Sequence, residues 1–273
     1  MSAVHPTPAH TYQPVPLLAG KVIVISGVGP GLGHSLATEA ARMGAHLVLA
    51  GRTEKRLHEY ADEITASGGT ATVVRADITD ENDRATLAET ALAAHGRIDC
   101  LINNAFAIPP MYPITQIDVE ALRVANETNV FAPLRLSALF ADALAQTHGS
   151  IIMLNSCVSY SSQPEYSGYK LSKGALAHLA SSLATELGPR GIRVNSVAPS
   201  YVYEDINKAY FDWLASQSGR THDEIYREKA APTDLGRLAG PEEVARATLF
   251  LASDLATAVT GQMLTVDCGE FHR

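Results

Sequence analysis

The run Lys21-Val-Ile-Val-Ile-Ser26, the turn Gly27-Val-Gly-Pro-Gly-Leu-Gly33 and the segment His34-Ser-Leu-Ala-Thr-Glu-Ala-Ala-Arg-Met43 follow one another without a break. The first is short, apolar and β-branched, the composition of a strand covered on both faces in a parallel sheet. The third has helical periodicity. Glycines between them let a pyrophosphate approach the backbone, and the N-terminal amides of the helix favour its charge. A tight strand-to-helix turn with no ligand is the plainer alternative, but strand, glycine turn and helix in that order are the context in which such a motif acquires meaning.

Outward from this unit the alternation repeats. Apolar runs at 21–26, 46–50, 71–75, 98–102, 150–155, 192–198 and 262–267 read as strands, separated by helical stretches such as 54–64 and 242–251. The expectation is an α/β fold, a doubly wound parallel sheet of about seven strands with helices on both faces. Ligands of such sheets bind beyond the carboxyl ends of the strands, where the strand order reverses. The glycine turn, Ser156 and Pro199 all fall at such ends.

A second stretch, Tyr166-Ser-Gly-Tyr-Lys-Leu-Ser-Lys173, carries candidate chemistry. Residues four apart share a helix face, so the Lys173 ammonium can bias the Tyr169 phenol toward phenolate. A free phenol titrates near ~10, too high for efficient proton exchange at neutral pH, and a positive neighbour supplies the correction. The same pattern fits a half-buried tyrosine beside a snorkelling lysine. Tyr166 with Lys170 even forms a second frame of equal spacing. What separates the two is Ser156, thirteen residues before Tyr169 at the end of an apolar run, whereas Met153 stands thirteen before Tyr166.

Together these segments resemble the short-chain dehydrogenase/reductase family, in its single-domain branch with a Gly-x-x-x-Gly-x-Gly loop and a Tyr-x-x-x-Lys site. Ser26-Gly27 with Gly31 and Gly33 fit its nucleotide loop, and Asn103-Asn104-Ala105 its Asn-Asn-Ala-Gly stretch. Gly191-Ile-Arg-Val-Asn-Ser-Val-Ala-Pro199 and Val259-Thr-Gly-Gln-Met-Leu-Thr-Val-Asp267 look like its sixth and seventh strands. The resemblance implies a Rossmann-type catalytic domain and a set of roles. Asn126, Ser156, Tyr169 and Lys173 would form the catalytic tetrad, with Tyr169 exchanging the proton, Ser156 bonding the substrate oxygen, Lys173 holding ribose hydroxyls and Asn126 ordering a water relay to Lys173. Gly27, Gly29, Gly31, Leu32 and Gly33 would meet the pyrophosphate. Asp77 and the Ile78 amide would contact adenine, and Asn104, Ala105, Tyr169, Lys173, Pro199 and Val202 would complete the cofactor cleft. The chain departs from the family at Phe106, where a glycine is usual, at Ser200, again for glycine, at Glu204, where a cofactor-binding threonine is common, and at Cys268, for a terminal glycine. None of these touches the tetrad.

The second strand closes on Gly51-Arg52, with no carboxylate to accept from a ribose 2′-hydroxyl and a basic residue suited to a 2′-phosphate. NADP(H) is therefore expected over NAD(H), with a solvated arginine as the plain alternative. Residues 200–235 hold Tyr201, Tyr203, Tyr210, Phe211, Tyr226 and the chain's one tryptophan, Trp213. In the family this region resembles a substrate lid; the same apolar face could instead pack on the body or a neighbouring subunit. Phe106, Cys157, Tyr201, Tyr210 and Trp213 are the candidate pocket residues, and a bulky apolar ketone or alcohol the expected substrate.

The chain's 273 residues, 46% of them hydrophobic, suffice for one full core. A proline-marked arm over 1–18 and a single catalytic domain over 19–273 are expected. A net charge of -8 without a Lys/Arg run argues against a nucleic-acid partner. No apolar run reaches the ~18 to 20 residues of a membrane span, and no signal peptide is evident. Ten histidines lack any metal-ligand spacing, so no metal is assigned. Cys100, Cys157 and Cys268 read as reduced thiols of a cytoplasmic protein. The family commonly forms tetramers, and the apolar stripe Leu171, Ala175, Leu179, Leu183 suits a homotetramer or homodimer, although it could equally face the sheet. Reversible hydride transfer between NAD(P)(H) and a ketone is the expected reaction. An enoyl reductase of the same fold, and a non-catalytic dinucleotide-binding regulatory protein, are the alternatives.

Overall fold

The computed structural model describes residues 15–272. Strands β1 (Val22–Ser26), β2 (His46–Gly51), β3 (Thr70–Arg75), β4 (Cys100–Asn103), β5 (Ser150–Leu154), β6 (Arg193–Pro199) and β7 (Met263–Val266) form one parallel sheet in the order β3-β2-β1-β4-β5-β6-β7. All seven expected strands are present, shifted by no more than two residues at either end. The order reverses between β1 and β4, which opens a crevice there at the carboxyl ends. Register levels those ends: Ser26 pairs with Asn103, Asn103 with Met153, and Met153 with Ser196. Ser156 and Pro199 each lie three residues beyond that row, so both rise on the same side of the sheet.

The sheet divides two apolar layers, and β1 shows how. Ile23 and Ile25 pack on one face with Leu36 and Leu57, from α1 (Leu32–Arg42) and α2 (Glu54–Ala66), and with Leu249 of α9 (Pro241–Ala252). Val22 and Val24, pointing the other way as alternation requires, join Leu87 of α3 (Glu81–His95), Phe140 of α5 (Ala132–Thr147) and Leu176 of α6 (Ser167–Leu187). Each fully buried branched side chain contributes about 1.5–3 kcal/mol against exposure. This double burial fixes β1 and, with it, the position of the glycine turn.

Between β4 and β5, α4 (Val119–Asn126) runs through a π-helical turn, Glu127–Phe131, into α5. Pro133 brings no N–H to the carbonyl four residues back, that of Asn129, and the ladder reorganises at this point. Residues 201–238 form a layer of their own over the crevice. Here α7 (Asp205–Ser218) and α8 (His222–Ala230) bury Phe211, Ile225 and Tyr226 against Leu238, with Tyr201, Tyr203 and Tyr210 packed around them. Residues 268–272 tie both ends of this layer down. Ser200 donates to Glu270, Asp234 N–H to Gly269 O at 3.3 Å, and Leu235 N–H to Cys268 O at 3.1 Å.

Most of the expected arm, residues 1–14, lies outside the described residues. Its last residue does not behave as an arm: Leu18 is fully buried and its N–H reaches Met43 O at 3.0 Å, so the body begins before residue 19. Among the described residues no helix is long and apolar enough to cross a membrane.

Candidate active site

The glycine turn is held from below. Gly27 sits at φ 79°, and a Cβ there would strike the Ala105 backbone, so only glycine lets the turn close on the end of β4. Asn104 Nδ2 donates to Gly27 O at 2.7 Å, bracing the same contact. Gly31, at φ 80°, then opens α1 without a side-chain cap. The first free amide of that helix, Leu32 N–H, donates instead to Glu204 Oε2 at 2.7 Å. His34 and Asp77, near this turn, have other partners. His34 bonds Glu63 at 2.8 Å and stacks on Tyr60, turned away from the loop. Ile78 is buried, and Asp77 accepts from Thr79 N–H and its hydroxyl, bonds that hold its carboxyl below the usual range.

Ser156 follows β5, is buried, and caps a short 3-10 turn by accepting from Val158 N–H at 3.2 Å. Tyr169 and Lys173 project from the first turns of α6. Burial raises the Tyr169 pKa above its ordinary value, and a hydrogen bond from Ser156 partly offsets this. Lys173 is 5% exposed; its ammonium donates to Leu154 O at 2.8 Å and lies 4.6 Å from the centre of the Phe106 ring. Burial lowers its pKa to about 7. Phe106 also meets the Tyr169 ring at 5.4 Å. In this arrangement burial is the larger influence on Tyr169, and the Lys173 ammonium faces a carbonyl and an aromatic ring.

Asn126 faces α6. It accepts from Ser172 Oγ at 2.7 Å at the end of α4. The π-turn, which packs on α6, carries the next asparagine inward instead. Asn129 is 2% exposed and pairs with Ala107 in both directions at 2.8 Å, one residue beyond Phe106. The extra residue in the turn changes the helical phase, which spacing alone did not reveal.

Ser156, Tyr169 and Lys173 line a cavity of about 570 Å³ together with Pro199, Val202, Glu204, Phe106, Ile108, Tyr166, Tyr201, Ile206 and Tyr210. An adjoining hollow of about 220 Å³ is lined by Gly29, Arg52, Arg56, Asp77, Ile78 and Ala105, and Gly27 and Phe106 border both. Arg56, one helical turn beyond Arg52, had no signal of its own in the sequence. Trp213 does not line the cavity; it is 56% exposed and stacks on Tyr210 at 5.9 Å. Cys157 borders the cavity, but its thiol donates to Ala198 O at 3.1 Å and burial pushes it up to about 12, so it presents no reactive group. Among the described residues no cluster of His, Cys, Asp and Glu could hold a metal ion.

A family model described as enoyl-(acyl carrier protein) reductase matches residues 27–270. The 7alpha-hydroxysteroid dehydrogenase of Escherichia coli K12 is 34% identical over 254 residues, 92% of this chain and 94% of that enzyme. The chain belongs to the short-chain dehydrogenase/reductase family. Cyclopentanol dehydrogenase of Comamonas is 34% identical over 250 residues, 91% of this chain and 96% of that one. A solved structure of a 7 alpha-hydroxysteroid dehydrogenase, complexed with NADH and 7-oxo glycochenodeoxycholic acid, superposes with a TM-score of 0.82 at 34% identity over 92% of this chain and 94% of its own.

Proposed function

We propose that this family member is an oxidoreductase interconverting a secondary alcohol and a ketone with a nicotinamide dinucleotide. The observation that carries this reading is the meeting of Ser156, Tyr169 and Lys173 on the wall of a largely apolar cavity, directly beside the glycine turn. The cleft fits the cofactor by chemistry. Leu32 N–H already holds a carboxylate oxygen, so the start of α1 accepts anions. Leu32 and Gly33 would take the pyrophosphate, Asp77 and Ile78 the adenine, and Pro199 and Val202 would border the nicotinamide, which supplies or receives the hydride when bound. Arg52 and Arg56 at the hollow's edge support NADP(H) over NAD(H).

In the reductive direction Tyr169 Oη gives its proton to the carbonyl oxygen, and Ser156 Oγ donates a hydrogen bond to that same oxygen as charge develops on it. Lys173, freed to bond ribose hydroxyls, also favours the Tyr169 phenolate that the proton transfer leaves. Asn126 would act on Lys173 through α6, where it accepts from Ser172, the residue before Lys173. The wall of Phe106, Ile108, Ile206 and three tyrosines suits a bulky apolar, cyclic or steroid-like ketone.

An enoyl reductase is the second reading, favoured by the description of the matching family model. The four-residue spacing of Tyr169 and Lys173 argues against it. Assaying cyclic, steroid-like and enone substrates with NADPH and NADH tests both: reduction of the carbonyl supports the first reading, and reduction confined to the conjugated double bond replaces it.

For the assembly we propose a tetramer, or a dimer, through α4–α5 and α6. These helices expose Val124, Phe131, Leu134, Leu139 and Leu171. Leu183, by contrast, is buried and faces the sheet. Light scattering giving a monomer with full activity would remove this proposal. The buried thiols of Cys100 and Cys157 support a cytoplasmic location.

A further inference from the structure

Two residues at which this chain departs from its family, Glu204 and Phe106, lie at the two ends of the same cleft. Glu204 is the N-cap residue of α7, yet its side chain caps nothing in its own helix. It reaches across to α1 and accepts from Leu32 N–H at 2.7 Å. A Cβ on Gly31 would overlap its carboxylate, so the carboxylate lies against the glycine turn itself. Glu204 thus presents an anionic oxygen to the amide that a pyrophosphate would use, and one N–H cannot serve both. Phe106, at 40% exposure, sets its ring 4.6 Å from the Lys173 ammonium and 5.4 Å from the Tyr169 ring. A glycine there would leave that face of Lys173 open.

We infer that Glu204 and Phe106 set the cofactor affinity of this chain by competing for the cofactor's own seats, Glu204 for the pyrophosphate at the start of α1 and Phe106 for the ribose beside Lys173. The inference rests on the reading of this cleft as a dinucleotide site. Because Glu204 belongs to the layer over the crevice, its release at the same time unlatches that layer from α1. Cofactor binding and movement of the layer are then one event.

The test is direct titration of the nucleotide-stripped protein with NADPH and with NADH by calorimetry, for wild type, Glu204→Gln, Glu204→Thr and Phe106→Ala, each paired with its thermal midpoint in the absence of nucleotide. A competitor gives effects of opposite sign. Glu204→Thr and Glu204→Gln lower the midpoint by removing a charge-assisted bond, yet bind dinucleotide roughly tenfold more tightly. Phe106→Ala binds more tightly as well. Glu204→Gln preserves shape and guards against misfolding of the threonine variant. If wild type binds and the Glu204 variants bind equally or more weakly, Glu204 is a structural brace and the inference falls while the cofactor reading stands. If neither wild type nor any variant binds a dinucleotide, both fall together.

Discussion

The floor and the roof of the cleft are built on different principles. The floor consists of strand ends and the turns that leave them, levelled by register and anchored in two apolar layers that include Ile25 and Val24, both 0% exposed. The roof, residues 201–238, builds its own cluster around Phe211 and meets the rest of the molecule at its edges: Glu204 to Leu32, Arg237 to Glu243 of α9, and the 234–235 backbone to residues 268–269. A floor so anchored cannot be altered without disturbing the sheet. A self-contained roof can change its shape and leave the reacting groups where they are. On the proposed function, the reacting groups belong to the floor, and the roof supplies Tyr201, Ile206 and Tyr210 to the cavity wall.

The largest expected effect breaks the floor's chemistry alone. Tyr169→Phe should lower kcat by about three orders of magnitude while dinucleotide affinity stays near wild type, because it removes a proton donor and little contact area. Tyr166→Phe, in the roof-facing frame, should keep most of kcat and shift KM. The reverse pattern in steady-state kinetics would place the chemistry in the wrong frame.

Breaking the roof should have a different signature. Phe211→Ala removes the centre of its cluster, a change worth about 3–5 kcal/mol in a packed core. Hydrogen exchange should quicken across 205–230 and leave β1, β4 and β5 protected. Equal loosening of the sheet would show that roof and floor are one cooperative unit.

Lys173 sharpens the contrast through pH. Its pKa falls from 10.5 unfolded to about 7 folded, so between those values the unfolded chain holds the extra proton and folding gains stability as pH rises. Wild type should gain on the order of 1.4 kcal/mol per pH unit over Lys173→Met across that window. Denaturant unfolding at pH 7 and pH 9 measures the gap; the variant should be the more stable at pH 7, and a gap independent of pH would contradict the burial of this ammonium. The smallest effect is expected at the rim. Arg52→Asp should move the NADPH to NADH ratio of kcat/KM toward NADH by about tenfold, with Arg56 retaining part of the preference. A wild type already preferring NADH would count against both arginines.

The floor was legible because each of its signals is local. A strand, a glycine turn and a helix are consecutive residues, and the Tyr169–Lys173 spacing is one helical turn. Ser156 could be placed because it ends an apolar run. The π-turn was not legible, since it adds a residue that no hydrophobic period announces, and with it the inward turn of Asn129 onto Ala107. Trp213 looked like a pocket residue as an aromatic of the lid region, but α7 has to serve two surfaces and buries Phe211 while Trp213 is left exposed. Glu204 and Phe106 were visible as departures, yet what each touches depends on residues far away in the chain. Composition carries no trace of such contacts.

One feature of the last strand's surroundings bears on how such an enzyme could diversify. Ser200, where the roof begins, and Asp234 and Leu235, near where it ends, are all fastened to residues 268–272. Within that segment Cys268 holds a left-handed backbone at φ 55°, a conformation that costs a non-glycine residue about 1–2 kcal/mol. Two attachments of the roof are therefore cut from one short piece of chain, as two hinges are fixed to a single post. Retouching the post re-aims the whole door, so substrate range can drift through residues that never meet a substrate.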